Sequence, residues 1–262
     1  MLEEKNLIIE EKNRDITDSI EFARTIQEAM LPSVDAITTN FEQSFVMFRP
    51  KDIVSGDFYW SQKHSKGDYV AAVDCIGHGV PGAMVSMLGN DLLNQSMNVG
   101  SCVHPGEFLT LLNQGVISNF KKDGKASVHN GMDMALCRFT PSGSLEFAGA
   151  KNPILIIRDG KLMEYKADRF SIGGITPEDH VFKTQKIKLE EGDLIYLFSD
   201  GFSDQFGGPR GKKFNIKNFK QLLLDTRDAT MEQQKDILEE SLDSWKGEIE
   251  QIDDVCIIGI RV

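Results

Sequence analysis

Four apolar segments of this chain stop against an aspartate: "VSGDFYW" at 54–60, "VAAVDCIGHG" at 70–79, "LIYLFSDG" at 194–201 and "EQIDDVCIIGI" at 250–260. A carboxylate at the edge of a segment that must be buried is costly unless it is protonated or finds a partner. One such residue is a turn or a cap, as Asp200 in "SDG" would be if it stood alone. Four of them, each with a glycine close by, imply strand ends that meet, so that several carboxylates crowd into one place. Their repulsion then requires bound divalent cations. An oxygen-only set with no His or Cys cluster suits Mg²⁺ or Mn²⁺ and disfavours zinc. The glycines let backbone and water approach closely. On this reading Gly56-Asp57 puts a ligand where a larger neighbour would block the metals.

The remaining pattern fixes the fold class. Strand-like runs stand at 44–50, 57–64 and 69–76, and helical segments follow at about 81–98 and 105–121, with Pro81 expected at the first helical position. Strands return at 132–140, 144–150, 154–165, 182–189 and 193–201, with "PSG" at 141–143 and "RDG" at 158–160 as hairpin turns. Helices are expected near 215–225 and 230–245, and the chain ends on a strand at 254–262. Strands succeed one another through short turns and helices come in blocks, which is α+β with antiparallel sheets and not alternating βαβ.

Residues 2–31 differ. Leu2, Ile9, Ile16, Ala23 and Met30 recur every seven residues, and the complementary seam reads Asn6, Asn13, Ile20 and Gln27. This is coiled-coil periodicity with polar seam positions able to set register, and Pro32 ends it. We expect residues 1–32 to form a dimerising linker helix, with an amphipathic helix packed on its own domain as the alternative, and 41–262 to form the main domain.

With 262 residues and a net charge of −11, the chain lacks the basic surface that a nucleic-acid phosphate grip needs. No apolar run approaches the roughly 20 residues of a membrane span, and residues 1–20 have no apolar signal core. A longer parent chain would be free to carry an anchor or a sensor domain. Cys75, Cys102, Cys137 and Cys256 show no CxxC spacing, so free thiols in a reducing cytoplasm are expected.

Together "VSGDFYW", "DCIGHGVPGAMVSMLG" (74–89), "AGAKNPILII" (148–157), "SIGG" (171–174), "LFSDGFSDQ" (197–205) and "DDVCIIGI" (253–260) resemble the SpoIIE-like branch of the metal-dependent type 2C (PPM) protein serine/threonine phosphatases. The resemblance covers about 41–262, and "SIEFARTIQEAMLP" is similar to the linker helix before such domains. It implies an αββα sandwich, two antiparallel sheets face to face and flanked by helices, with two Mn²⁺ or Mg²⁺ ions at one end. It implies that Asp74 bridges both ions and that Asp57 binds one of them with the backbone carbonyl of Cys75. Asp200 and Asp253 would bind the other. Strand alternation can aim only one of Asp253 and Asp254 inward, and the family motif favours Asp253. Trp60, Cys75 and Cys256 depart from the family pattern without removing an implied ligand, and no arginine stands out as a phosphate clamp.

Other residues weigh less. His78 in "GHGVPGA" is a candidate general acid but reads better as a turn before a helix, where it and Gly79 would help seat phosphate on backbone N–H groups. The lysine and Ser/Thr of a P-loop are missing. Asn152 is a candidate substrate contact, and Asp204 and Asp133 are candidate outer-shell or third-metal groups, each with a plain turn or surface reading.

The function expected is Mn/Mg-dependent hydrolysis of phosphoserine or phosphothreonine on a protein, an anti-anti-sigma-like regulator by resemblance, in a bacterial signalling pathway. The alternative is a catalytically silent module of the same fold that docks a partner as a dimer. A two-metal nucleotide cyclase also uses paired aspartates, but it needs a βαββαβ order that is not legible here.

Overall fold

The computed structural model describes residues 2–98, 103–122, 125–126 and 131–262. The chain opens with α1 (Leu2–Met30) and α2 (Val34–Asn40), then β1 (Ser44–Arg49), β2 (Phe58–Gln62) and β3 (Asp68–Cys75). Helices α3 (Gly79–Asn98) and α4 (Pro105–Phe120) follow, then the short β4 (Lys121–Lys122) and β5 (Lys125–Ala126). Next come β6 (Gly131–Phe139), β7 (Ser144–Ala150), β8 (Ile154–Arg158), β9 (Lys161–Tyr165), β10 (Ile172–Gly173), β11 (Gln185–Lys188) and β12 (Leu194–Phe198). The last part holds α5 (Gly201–Asp204), β13 (Phe206–Gly207), β14 (Lys212–Lys213), α6 (Ile216–Thr226), α7 (Met231–Lys246) and β15 (Val255–Arg261).

Two antiparallel sheets carry the molecule, one in the order β1-β15-β12-β8-β9 and the other in the order β11-β7-β6-β3-β2, with β10 paired to β6. The near-continuous apolar runs of β8, β12 and β15 have a simple cause: both faces are covered. Ile154, Ile156, Ile195, Leu197 and Ile258 meet Val70, Ala135 and Phe147 of the other sheet in the inter-sheet core. The alternate residues Leu155, Tyr196, Phe198 and Ile257 lie under α6 and α7 with Phe219 and Leu238. On the opposite side Phe58, Trp60, Val73 and Leu136 pack beneath α3 and α4. Each fully buried Leu, Ile or Phe contributes about 1.5–3 kcal/mol, so these three layers hold the sheets together. The architecture is the expected αββα sandwich.

Local chemistry sets the joints. Asp159 (φ 49°) and Gly160 (φ 72°) turn β8 into β9 with two left-handed residues, as a type I′ hairpin demands. A capping box between Thr230 and Gln233 starts α7. Three boundaries differ from the sequence expectation. Helix α3 begins at Gly79, two residues before Pro81, which is tolerated because first-turn N–H groups have no intrahelical partner. The strand expected at 182–189 shortens to Gln185–Lys188, because Phe182 N–H bonds Thr110 Oγ1 (3.1 Å) and Gly106 N–H bonds Thr184 Oγ1 (2.8 Å), tying that stretch to α4. Helix α2, where no helix was expected, forms around fully buried Ile37.

Helix α1 is divided along its length. Leu2 (80% exposed), Ile9 (55%) and Ile16 (57%) of the heptad seam face solvent. Gln27 on the other seam is buried against the chain's own domain, and Leu31 packs on the core under α3 and α4. Cys75, Cys137 and Cys256 are buried free thiols, and burial pushes each thiol's pKa up. Cys102 lies outside the described residues. Among the described residues no helix is long and apolar enough to cross a membrane.

Candidate metal centre

The aspartates come to one end of the sandwich from both sheets. Asp57 enters just before β2, Asp74 sits at the next-to-last position of β3, Asp200 follows the end of β12, and Asp253 precedes β15. In the β3–β6 pair, Asp74 stands directly opposite Asp133. Backbone and side chains interlock there. The backbone of Asp200 holds the Asp74 pKa down and the Ser199 hydroxyl does the same for Asp57, while Ser199 Oγ itself accepts Cys256 N–H (3.0 Å).

Electrostatics reports the crowding. Asp57 is 2% exposed, and burial followed by the charge of Asp74 drives its pKa well above the usual carboxylate range, with Asp254 and Asp253 adding to the push. Asp74 moves the same way, through burial and then the charges of Asp200, Asp133 and Asp253. Asp200, whose side chain reaches solvent, is pushed up to about 6 by partial loss of water and then by the charges of Asp204 and Asp253. Asp253 rises through burial, held back by the N–H of Asp254. Acids with shared perturbers of this kind form one coupled cluster.

Asp253 and Asp254 have different surroundings. Asp254 is 2% exposed, and both its oxygens are used: Oδ1 accepts from Lys51 N–H (2.7 Å) and Oδ2 from Gly56 N–H (2.7 Å). It therefore pins the loop that delivers Asp57. Asp253 Oδ1 accepts only the adjacent Asp254 N–H (2.9 Å) and stays partly open to solvent.

The glycine of "SGD" has a reason that the sequence did not give. A Cβ on Gly56 would stand 2.5 Å from the Gly77 carbonyl oxygen, 3.3 Å from that of Cys75 and 3.5 Å from Asp254 Oδ2. Backbone and a buried carboxylate fill that space, so only glycine lets the loop before Asp57 seat against the Cys75 carbonyl.

The residues given less weight lie around this centre. His78 is exposed in the turn before α3, with Nδ1 2.8 Å from Asp52 Oδ2 and Nε2 3.1 Å from Lys51 Nζ. Gly79 takes a left-handed φ of 65° beside Asp52. Asp204 pairs with Lys213 (2.6 Å), and Asn152 lies in the turn after β7 with its amide nitrogen buried and without a partner.

Two functional neighbours were not read from the sequence. Gln27 of α1 donates to Ser55 O (2.6 Å) and Ser86 Oγ (2.9 Å) and accepts from Ser55 N–H (3.1 Å), clamping the residue before Gly56-Asp57. Its place among seam positions was visible, but its partner 28 residues on was not. Lys151 Nζ lies 3.4 Å from Asp133 Oδ2, and its left-handed φ of 57° gives the "AKNP" turn a role that spacing alone does not show.

Hard cations fit this donor set. Asp57 Oδ2 and Asp133 Oδ1 are buried carboxylate oxygens without a hydrogen-bond partner, which is the chemistry that a cation satisfies. As the side chains lie, no three acidic, His or Cys groups among the described residues close on a single point.

The model of the stage II sporulation protein E (SpoIIE) family matches residues 66–262. The chain belongs to the SpoIIE family. Among solved structures, the SiaA PP2C domain of Pseudomonas aeruginosa is 31% identical with a TM-score of 0.85, covering 96% of this chain and 98% of that one. The PP2C phosphatase domain of SpoIIE from Bacillus subtilis, solved with a fragment of its regulatory domain, matches at TM-score 0.66 and 21% identity, over 84% of this chain and 63% of that one. The phosphoserine phosphatase RsbU of Bacillus subtilis is 24% identical over 196 residues, which are 73% of this chain and 55% of RsbU. The chain thus spans about half of that relative. The SpoIIE-family fold here is that of a PP2C-type phosphatase domain.

Proposed function

We propose that this chain hydrolyses phosphoserine or phosphothreonine on a protein substrate, as a metal-dependent phosphatase in a bacterial signalling pathway. The observation that carries this reading is the crowding of Asp57, Asp74, Asp200 and Asp253 from both sheets, with Asp74 opposite Asp133 and with the buried oxygens Asp57 Oδ2 and Asp133 Oδ1 left unpartnered. Asp74, opposite Asp133, would be a ligand common to both cations. Asp57 and the Cys75 carbonyl would help hold one of them, and Asp200 and Asp253 the other. Two Mn²⁺ or Mg²⁺ ions bound there would supply an activated water and offset the charge of the phosphoryl group. The chain's own residues then position and orient: Asp254 fixes the Asp57 loop, Ser199 orients the Asp57 carboxylate, and Lys51 and Lys151 place cations at the rim of an acidic site.

The substrate class is a phosphorylated regulator of the anti-anti-sigma type, as the family resemblance implies, and the likeness to the phosphoserine phosphatase RsbU supports a phosphoserine substrate. The domain unit is 41–262, and residues 1–32 form a regulatory linker helix acting in the cytoplasm. The exposed Leu2, Ile9 and Ile16 support a homodimer through α1, and the Gln27 clamp links the docking of that helix to the metal loop. Deleting residues 1–32 should change both sedimentation behaviour and Mn²⁺-dependent turnover; if neither moves, the regulatory role is lost. Turnover of p-nitrophenyl phosphate with Mn²⁺ by the intact chain, compared with Asp74→Asn, tests the activity itself. A silent partner-docking module is the second reading, favoured by the exposed apolar residues Leu2, Ile9 and Ile16 of α1. Calorimetry showing no Mn²⁺ uptake would favour it.

A further inference from the structure

Beside the carboxylates lies a cavity of about 460 Å³ that the reading above leaves unused. Ile76, Phe170, Gly174, Ile175 and Thr176 line it, and Lys151 stands at its rim. It shares two walls with the centre: Ile76 is two residues past Asp74, and Lys151 is the cation paired with Asp133. A pocket of this size is within the usual range of about 300–1,000 Å³ for small-molecule and side-chain seats.

The wall is built and stiff. Strand β10 pairs with the start of β6, setting Ile172 opposite Met132 and Gly173 opposite Gly131. A Cβ on Gly131 would stand 2.6 Å from the Ile172 carbonyl oxygen and 3.4 Å from Ile76 Cδ1, so that glycine lets the wall and Ile76 close in beside the strand of Asp133. Gly173 (φ 74°) and Gly174 (φ 60°) then turn the loop, Gly173 N–H bonds Asn113 Oδ1 (2.8 Å), and Thr176 Oγ1 bonds Ser171 O (2.7 Å). Fully buried Asn113 also donates to Pro177 O (3.0 Å), anchoring both ends of the loop to α4.

The chemistry of this recess is apolar within and cationic at the edge. Ile175 is 82% exposed and Ile76 46%, and the two stand together on this recess beside the acidic centre. Arg169, on the same rim, holds its guanidinium 4.9 Å from the centroid of the Phe170 ring. A phosphate alone finds no use for such walls. An extended peptide advances about 3.3–3.6 Å per residue, so a segment whose phosphoserine sits at the carboxylates carries its near neighbours into this recess.

We infer that the cavity seats an apolar side chain one or two positions from the phosphorylated residue of the protein substrate. This rests on the phosphatase reading above and adds a sequence preference to it.

The test uses the full chain with Mn²⁺ and phosphoserine peptides carrying leucine or alanine at each of the two positions on either side. At one position the leucine peptide should exceed the alanine peptide in kcat/KM by roughly tenfold or more, the size of discrimination that a hydrophobic pocket gives. In Ile175→Glu, whose side chain projects from the surface and leaves the core untouched, that ratio should fall to about one. p-Nitrophenyl phosphate, which has no flanking residues, separates the two ideas. Its turnover without a leucine preference at any position, or with a preference unchanged in Ile175→Glu, overturns the cavity assignment alone. No Mn²⁺-dependent turnover of any of these phosphates overturns both.

Discussion

The two ends of β12 hold acids in opposite ways. Asp193, just before the strand, is 1% exposed and gripped by Arg158, with Nε to Oδ1 at 2.7 Å and a second guanidinium nitrogen to Oδ2 at 2.5 Å. Its second oxygen also accepts Glu190 N–H (2.9 Å). Glu146 on β7 is handled likewise, within 3.0 Å of Arg138, 2.7 Å of His104 and 3.6 Å of Lys186. At the other end of β12, Asp200 meets more carboxylates, and the nearby lysines answer only the rim. The difference teaches that the chain can neutralise a buried acid with its own cations and does so where the acid is structural. Where it does not, the neutralising charge has to come from outside, as divalent ions do.

Swapping the two kinds of site should give two kinds of loss. The largest is Asp74→Asn, for which Mn²⁺-dependent turnover of p-nitrophenyl phosphate should fall about a thousandfold or more, since metal stabilisation of several kcal/mol is removed and 1.4 kcal/mol is tenfold. Wild-type turnover in that variant would break the comparison at its centre. Arg158→Met should behave differently: stranding Asp193 costs about 3–5 kcal/mol in urea unfolding, while the rise in melting temperature on adding Mn²⁺ stays as in the parent. A lost metal response would show that the two ends are not independent.

Gln27→Leu should cost about 1–3 kcal/mol, because Ser55 N–H and C=O lose their partner in a buried place. It should also weaken Mn²⁺ binding about tenfold by calorimetry, the usual effect of losing a group that orients ligands. Destabilisation with unchanged Mn²⁺ affinity would confine Gln27 to packing. The smallest effect concerns pH. Asp57, Asp74 and Asp200 have raised pKa values in the folded chain, so between the ordinary 3.8 and about 6 for Asp200 the folded form binds more protons than the unfolded one. Metal-free stability attributable to them is therefore present at low pH and lost as pH rises. The gap in melting temperature between Mn²⁺-loaded and EDTA-treated protein should widen from pH 4 to pH 7, and a gap that narrows would contradict the crowding.

The segments that read clearly in the sequence are those whose local pattern matches their final burial. The hairpin at Asp159-Gly160 needs two left-handed residues and has them, and β8, β12 and β15 are apolar throughout because both faces are covered. What stayed hidden depends on partners far along the chain. The residues Asp253 and Asp254 are chemically alike, and only the N–H groups of Lys51 and Gly56 give Asp254 a separate task. The heptads of α1 are real, yet Gln27 belongs to a clamp inside its own domain while Leu2 and Ile9 face solvent. Pro81 misled by two residues because a first helical turn accepts proline at more than one position.

The amino-acid order by itself determined that the sheets would be antiparallel and layered and that aspartates would cap several of their strands, because alternation, turns and hydrophobic runs are local properties. Tertiary structure alone decided which oxygens are spoken for by backbone donors and which are left over, because a hydrogen bond across some 200 positions has no signature in either segment that makes it.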